Sequence, residues 1–313
     1  MKGVFKHIIT LISAMAFITS CSPDESISST IETNCTNSYV FSIESGLACN
    51  NTTTTPSVYS ETIVGDTRKI TFNHVPPHSF LGMNIQANET TYSIPLNPVI
   101  ASTVTQVANT NFTGTSGSIG WKFGIATSGV PFDPVAAEGW TNTATGTQNY
   151  EWNLEVLSSA HSLIFDCNNA HDINRYHYHG VPTPYMDQIG ENGNQHSQLI
   201  GYAADGFPIY YKYGYSNPDD MTSAIVALEG SYEVKSGCRP GDGISAPDGG
   251  YDGTYVNDYE FIDGSGDLDQ CNGRFAKTPE FPNGTYIYYV TDDFPSVPRC
   301  FKGTPSNDFI VGI

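Results

Sequence analysis

Basic residues are scarce in this chain: Lys and Arg number 13 among 313 residues, against 32 Asp and Glu, for a formal net charge of −19. That balance argues against nucleic acid as a partner, because contact with a phosphate backbone needs a basic footprint. It favours solubility and leaves cation binding open. Charged residues of both signs make up only 14%, while Gly, Pro, Asn, Thr and Ser are common, a composition that suits strands and ordered loops. No apolar run is long enough for a permanent membrane span. There is no Gly-x-Ser-x-Gly elbow, no His-Glu-x-x-His pair and no phosphate loop, so a serine-triad hydrolase, a zincin protease and a nucleotide enzyme all lack support. Cys-x-x-Cys is also missing, which turns the cysteines away from metal ligation.

What is present is aromatic: 19 Tyr and 16 Phe can build a substantial core, and the length allows one large or two small domains. The N-terminus points to the compartment. Lys2 and Lys6 form a short basic region, Ile8 to Ile18 an apolar one, and Ile18-Thr19-Ser20-Cys21 resembles the lipobox of bacterial lipoproteins. Residues 1–20 then read as a signal peptide and Cys21 as the lipidated residue. The expected location is extracytoplasmic, with the membrane a partner through the lipid anchor only. Ser22-Pro23-Asp24-Glu25 resembles the surface-export signal of Bacteroidota lipoproteins, which would expose the protein at the cell surface. Residues 21–60 are rich in Ser, Thr and Asn and read as a polar flexible tether.

Six further cysteines, Cys35, Cys49, Cys167, Cys238, Cys271 and Cys300, suit up to three disulfides in an oxidising compartment. Fifteen pairings are open; Cys35 with Cys49 is the local expectation. From residue 61 the pattern predicts a mainly β domain to residue 313 with few short helices. Predicted strands include Arg68–Phe72, Thr91–Pro95, Trp121–Ala126, Leu199–Ala203, Pro208–Tyr211 and Tyr286–Val290. Asn149–Leu157 reads as a strand or a short helix, and Met221–Leu228 as the best helix, with Asp219 and Asp220 suited to its N-terminus. Asp166-Cys167-Asn168-Asn169 before Tyr176-x-Tyr178 is echoed by Asp269-Gln270-Cys271-Asn272 before Tyr286-x-Tyr288, a sign of two related Tyr-rich hairpins.

The chemistry concentrates at Arg175-Tyr176-His177-Tyr178-His179-Gly180. On a strand successive side chains face opposite ways, so His177 and His179 share one face and the two tyrosines the other. Imidazoles so placed can converge on one ion, and Zn or Cu favours such ligands. His171 or His196 is the expected third ligand, with His74, His78 and His161 as further candidates. Asp205, in the turn Ala204-Asp205-Gly206-Phe207, could orient a ligand or act as a base. Asp263-Gly264-Ser265-Gly266-Asp267-Leu268-Asp269 superficially suits calcium, but Arg274 stands where an EF-hand needs an acid, and capped turns explain most of that acidity.

Asp166 to Thr183, DCNNAHDINRYHYHGVPT, resembles the signature of the YHYH-domain proteins. Phe123–Ala126 with Val130–Pro134, Leu199–Tyr210, Tyr251–Thr254, Gly266–Arg274 and Phe294–Gly303 are similar to further family segments. The resemblance implies one integrated, secreted or lipid-anchored bacterial domain and points at His177 and His179, without supplying an activity. Where symmetry would ask for a second histidine strand, Ile287 and Tyr289 stand, which weighs against a symmetric two-metal site. Two readings follow: a metal-binding protein, extending to a metal-dependent enzyme of unknown substrate, or a cell-envelope binding module for a glycan or another envelope component, in which the histidine–tyrosine cluster either stacks on and hydrogen-bonds the ligand or forms a structural polar core.

Overall fold

The computed structural model describes residues 47–81, 85–112, 117–158, 164–172 and 175–312. The expected signal peptide, Cys21, Cys35 and His161 lie outside the described residues. The described chain is mainly β, as its composition implies. Its strands are β1 (Tyr59–Val64), β2 (Thr67–Phe72), β3 (Thr90–Pro95), β4 (Gly124–Ala126), β5 (Pro131–Phe132), β6 (Ala170–His171), β7 (His177–Tyr178), β8 (Leu199–Ala203), β9 (Pro208–Tyr211), β10 (Gly273–Ala276) and β11 (Thr285–Val290). Shorter two-stranded ribbons surround them. A single turn-and-a-half helix, α1 (Thr183–Gln188), starts after Pro182 and buries Tyr185 and Met186. Among the described residues no helix is long and apolar enough to cross a membrane.

β1, β2 and β3 form an antiparallel sheet. The centre of the molecule is an eight-stranded sheet in the order β6-β7-β5-β4-β8-β9-β11-β10. It has a pseudo-two-fold axis between β4 and β8, which pair antiparallel as Gly201↔Ala126, Tyr202↔Ile125 and Ala203↔Gly124. The axis exchanges bonds as well as strands: Thr127 N donates to Ile200 O, and Ala204 N donates to Phe123 O, both at 2.8 Å. On either side an antiparallel hairpin is followed by a parallel neighbour, Tyr178 beside Phe132 in one half and Tyr288 beside Ile209 in the other. The two hairpins read Gly124-Ile125-Ala126-Thr127-Ser128-Gly129-Val130-Pro131 and Gly201-Tyr202-Ala203-Ala204-Asp205-Gly206-Phe207-Pro208. Each turns on a glycine of positive φ, Gly129 at 77° and Gly206 at 92°.

The echo between the two Asp-Cys-Asn segments is part of the same symmetry. Asn169 and Asn272 both sit at φ 51°, a region that Asn tolerates better than most residues. Asp166 Oδ1 accepts from Asn168 N at 2.8 Å, and Asp269 Oδ1 accepts from Cys271 N at 2.9 Å. The tyrosines lock each turn to its strand: Tyr176 Oη donates to Asp166 Oδ2 at 2.6 Å, and Tyr286 Oη to Asp269 Oδ1 at 2.9 Å. Tyr178 and Tyr288 reach across to the opposing hairpins, to Ser128 Oγ at 3.0 Å and Asp205 Oδ2 at 2.6 Å. All four tyrosines are buried. They join Phe123, Phe132 and Phe301 in the main core, where edge-on and stacked aromatic pairs add about 0.5–1.5 kcal/mol each beyond area burial.

Several expectations need correction. Met221–Leu228 is not a helix: Asp220 Oδ1 accepts from Thr222 N at 2.9 Å to cap a turn, and Ile225–Ala227 pairs as a strand with Tyr213–Tyr215. The β-branched Ile225 and Val226 find a strand partner, and tertiary pairing overrides the local pattern. The single strand foreseen over Trp121–Ala126 is two, Ser118–Trp121 pairing with Ile310–Gly312 while β4 joins the main sheet. Gln148–Asn153 is a strand. Cys49 does not pair with Cys35 but with Cys167, Cα–Cα 5.5 Å. The reason is local docking: Leu47 N donates to Phe165 O at 2.8 Å and Asn51 exchanges two hydrogen bonds with Phe80, holding Cys49 against the Asp166 turn. Residues 47–58 of the expected tether are therefore bound to the body, with Asn73 Nδ2 donating to Pro56 O at 2.9 Å. Cys271 pairs with Cys300.

Candidate metal centre

β6 and β7 are antiparallel with His171 directly opposite His177. His179 follows one pleat later, held by a hydrogen bond from its N to Asn169 O at 2.8 Å. The alternation foreseen for this stretch is realised: the tyrosines face the core, and the histidines meet on the other side. His171 Nε2 lies 3.1 Å from His177 Nε2 and 3.0 Å from His179 Nε2. The three ligand atoms all fall within 4.8 Å of one another. At Zn–N bonds of 2.0–2.1 Å, tetrahedral ligand nitrogens stand about 3.3–3.4 Å apart. The observed edges are only slightly tighter.

The other ring nitrogens differ in their surroundings. His177 Nδ1 donates to Arg175 O at 2.6 Å. Arg175 adopts φ 97°, and that unusual backbone aims its carbonyl at the ring. The buried Nδ1 atoms of His171 and His179 have no hydrogen-bond partner among the described residues. With its proton on Nδ1, His177 presents an Nε2 lone pair toward His171 Nε2, and the three close ring nitrogens form a set that a cation can satisfy. Burial, with the neighbouring His177 adding to it, lowers the pKa of His171 to about 4. Burial likewise holds His177 at about 4 and His179 well below the ordinary value. The rings are neutral at physiological pH, the form that binds metal.

A cavity of about 330 Å³ lies over the trio, walled by Ile119, Val156 and Val311 and edged by Lys122, Asp133 and Glu138. Asp133 is buried, its N donating to Tyr178 O at 2.8 Å, and its Oδ1 has no hydrogen-bond partner. Burial pushes its pKa up to about 6, opposed by the charge of Lys122. Burial lowers that of Lys122, opposed by Asp133. Behind Asp133, Arg299 Nη1 donates to Pro134 O, and Arg299 Nη2 pairs with buried Glu155 Oε2 at 2.5 Å. Sequence reasoning assigned no role to Lys122 or Asp133. Asp133 stood in the quoted segment Val130–Pro134, and the signal was that segment's likeness to Phe207-Pro208-Ile209-Tyr210, where tyrosine replaces the acid.

The remaining expected residues lie elsewhere. His196 packs against Tyr210 and Tyr215 in the other half of the sheet, with ring centroids 5.2 and 4.8 Å away. Asp205 is also in that half, under the Tyr288 hydroxyl, and does not meet the histidine trio. His78 Nε2 bonds Tyr178 Oη at 2.7 Å, and His74 Nδ1 lies 3.4 Å from Tyr176 O, both on the tyrosine side of β7. The calcium segment is likewise engaged internally: Asp267 accepts from Glu229 N at 3.0 Å, and Asp269 pairs with Lys302 Nζ at 2.9 Å. Buried Tyr176 and Tyr178 offer no face on which a sugar could stack.

The sequence model of the family described as YHYH protein matches residues 91–303. No curated protein and no solved structure matches the chain.

Proposed function

The chain belongs to the YHYH protein family, and from that premise we propose that it is an extracytoplasmic protein whose working centre is a transition-metal site. His171, His177 and His179 hold one Zn or Cu ion through Nε2. The single observation that carries the reading is the meeting of three neutral imidazole nitrogens at 3.0 and 3.1 Å. The Arg175 carbonyl at His177 Nδ1 and a cavity on the open side support it. Three protein ligands with a fourth position facing a cavity is the pattern of reactive rather than purely structural zinc. Such an ion supplies a Lewis acid to whatever fills that position. The disulfides suit an oxidising compartment, and a signal peptide with lipidated Cys21 would deliver and tether the protein there.

Elemental analysis of the purified full chain tests the reading. Near-stoichiometric Zn or Cu is expected, and the H177A/H179A double variant should lose it while far-UV circular dichroism is retained. Unchanged metal content in that variant sinks the ligand assignment.

A further inference from the structure

The pseudo-two-fold axis lets one half of the chain serve as a reference for the other. Positions that build the scaffold are shared between the halves: Gly124 and Gly201, Ala126 and Ala203, Pro131 and Pro208, Asp166 and Asp269, Asn169 and Asn272, Tyr178 and Tyr288. The positions around the histidines are not. By the symmetry of the strand pairing, His171, His177 and His179 correspond to Arg274, Ile287 and Tyr289 of the second half. Counted along the equivalent hairpins, Asp133 corresponds to Tyr210 and Lys122 to Leu199. The same space in the second half is filled by side chains: Tyr210 Oη bonds Glu280 Oε2 at 2.8 Å, and Arg274 lies 5.7 Å from the Tyr289 ring. Five residues thus differ together while the frame that carries them persists. Lys122 and Asp133 belong with the histidines.

Their chemistry defines a ligand. Lys122 lines the cavity and feels the charge of Asp133 there, without a direct ion-pair contact to it or to any other described residue. Asp133 lines the same cavity, is 7% exposed, and has a buried Oδ1 without a hydrogen-bond partner. A half-buried ammonium asks for an anion, and a buried oxygen without a partner asks for a donor. The apolar walls of Ile119, Val156 and Val311 and the volume of about 330 Å³ restrict the guest to a small molecule.

Resting on the metal reading above, we propose that this cavity binds a small carboxylate carrying an adjacent hydrogen-bond donor, a hydroxy acid or an amino acid. The carboxylate lies between the open metal position and Lys122 Nζ, and the adjacent hydroxyl or amine donates to Asp133 Oδ1. Specificity comes from Asp133, which an unsubstituted carboxylate leaves unpaired.

The full chain loaded with cobalt(II) provides the test, its visible bands titrated with acetate and with glycolate. Both anions should move the bands, glycolate at concentrations at least tenfold lower. Lys122→Met should weaken both at least tenfold, and Lys122→Arg should restore them. Asp133→Ala should remove the preference for glycolate over acetate, and a preference that survives in that variant overturns the role of Asp133. Each variant is checked for one cobalt per chain and parental circular dichroism. Equal titrations in the parent and Lys122→Met overturn the proposal, as do bands that neither anion moves. A parent chain that takes up no metal refutes the metal reading itself, a distinguishable failure.

Discussion

Asp205 carries a buried carboxyl without an ionic partner among the described residues, and its titration should be readable in the stability of the chain. It accepts from Tyr288 Oη at 2.6 Å, Gly303 N at 2.8 Å and Phe207 N at 3.3 Å. Those donors favour the charged form, yet burial outweighs them and raises the pKa from 3.8 to about 6. An acid whose pKa is higher in the folded state binds more protons there than in the unfolded chain. Its stabilising contribution is complete below the unfolded value and declines as pH rises through the folded one. The gap of about two pH units corresponds to roughly 3 kcal/mol. Asp205→Asn abolishes the titration while leaving an oxygen for Tyr288 and Gly303. The unfolding free energy of the variant relative to the parent should therefore rise by roughly 3 kcal/mol between about pH 4 and pH 7. For a domain of this size that is about 6–12 °C in the difference of melting temperatures. Urea unfolding followed by intrinsic fluorescence at half-unit steps of pH reads the difference, in which the histidine contributions cancel. A difference constant with pH would show that the three hydrogen bonds balance burial, and would refute the reasoning.

Zinc at a hundredfold excess over its dissociation constant should stabilise the parent by about 2.7 kcal/mol, raising the melting temperature by roughly 5–10 °C; thermal-shift fluorimetry of His171→Ala should show none of it, and an equal shift there would contradict the three-ligand site. Asn169 combines φ 51° with a hydrogen bond from Nδ2 to Val181 O at 2.9 Å. Asn169→Ala should cost roughly 2–3 kcal/mol in chemical denaturation and Asn169→Gly about 1–2 kcal/mol less; the reverse order would refute the backbone argument. His78, His171 and His177 have pKa values lowered by burial to about 4. Their neutral forms support the fold fully above the unfolded value near 6.5, and that support is lost as pH falls toward about 4. The metal-free chain should lose near-UV circular dichroism in that window, and an unchanged signal down to about pH 4 would count against it.

Much of the candidate site was legible because the pleat has a period of two. Tyr176-His177-Tyr178-His179 fixes which side chains meet, whatever strands lie beside it. His171 was recoverable because a short connection returns it opposite His177. Lys122 and Asp133 were not, because strand neighbours distant in sequence bring them there, β7 lying beside β5 rather than beside anything adjacent in the chain. His196 was misplaced for the same reason: nearness along the chain suggested it, but it lies across the symmetry axis, in the half that has no histidine trio among the described residues. Met221–Leu228 shows the limit of local patterns, since a short apolar run takes the conformation of whatever edge awaits it.

The alternation along β7 has a consequence for how such a chain can change. Tyr176 and Tyr178 are tied into the turns and hairpins on one side, while the His177 and His179 rings meet His171 on the other. Stability and chemistry are thus written on opposite surfaces of the same few residues. The second half demonstrates the independence, for it keeps its tyrosines and carries isoleucine, tyrosine and arginine where the first half has histidines. A lineage built on this frame can lose, alter or refit its centre by ordinary substitution without passing through an unfolded intermediate sequence.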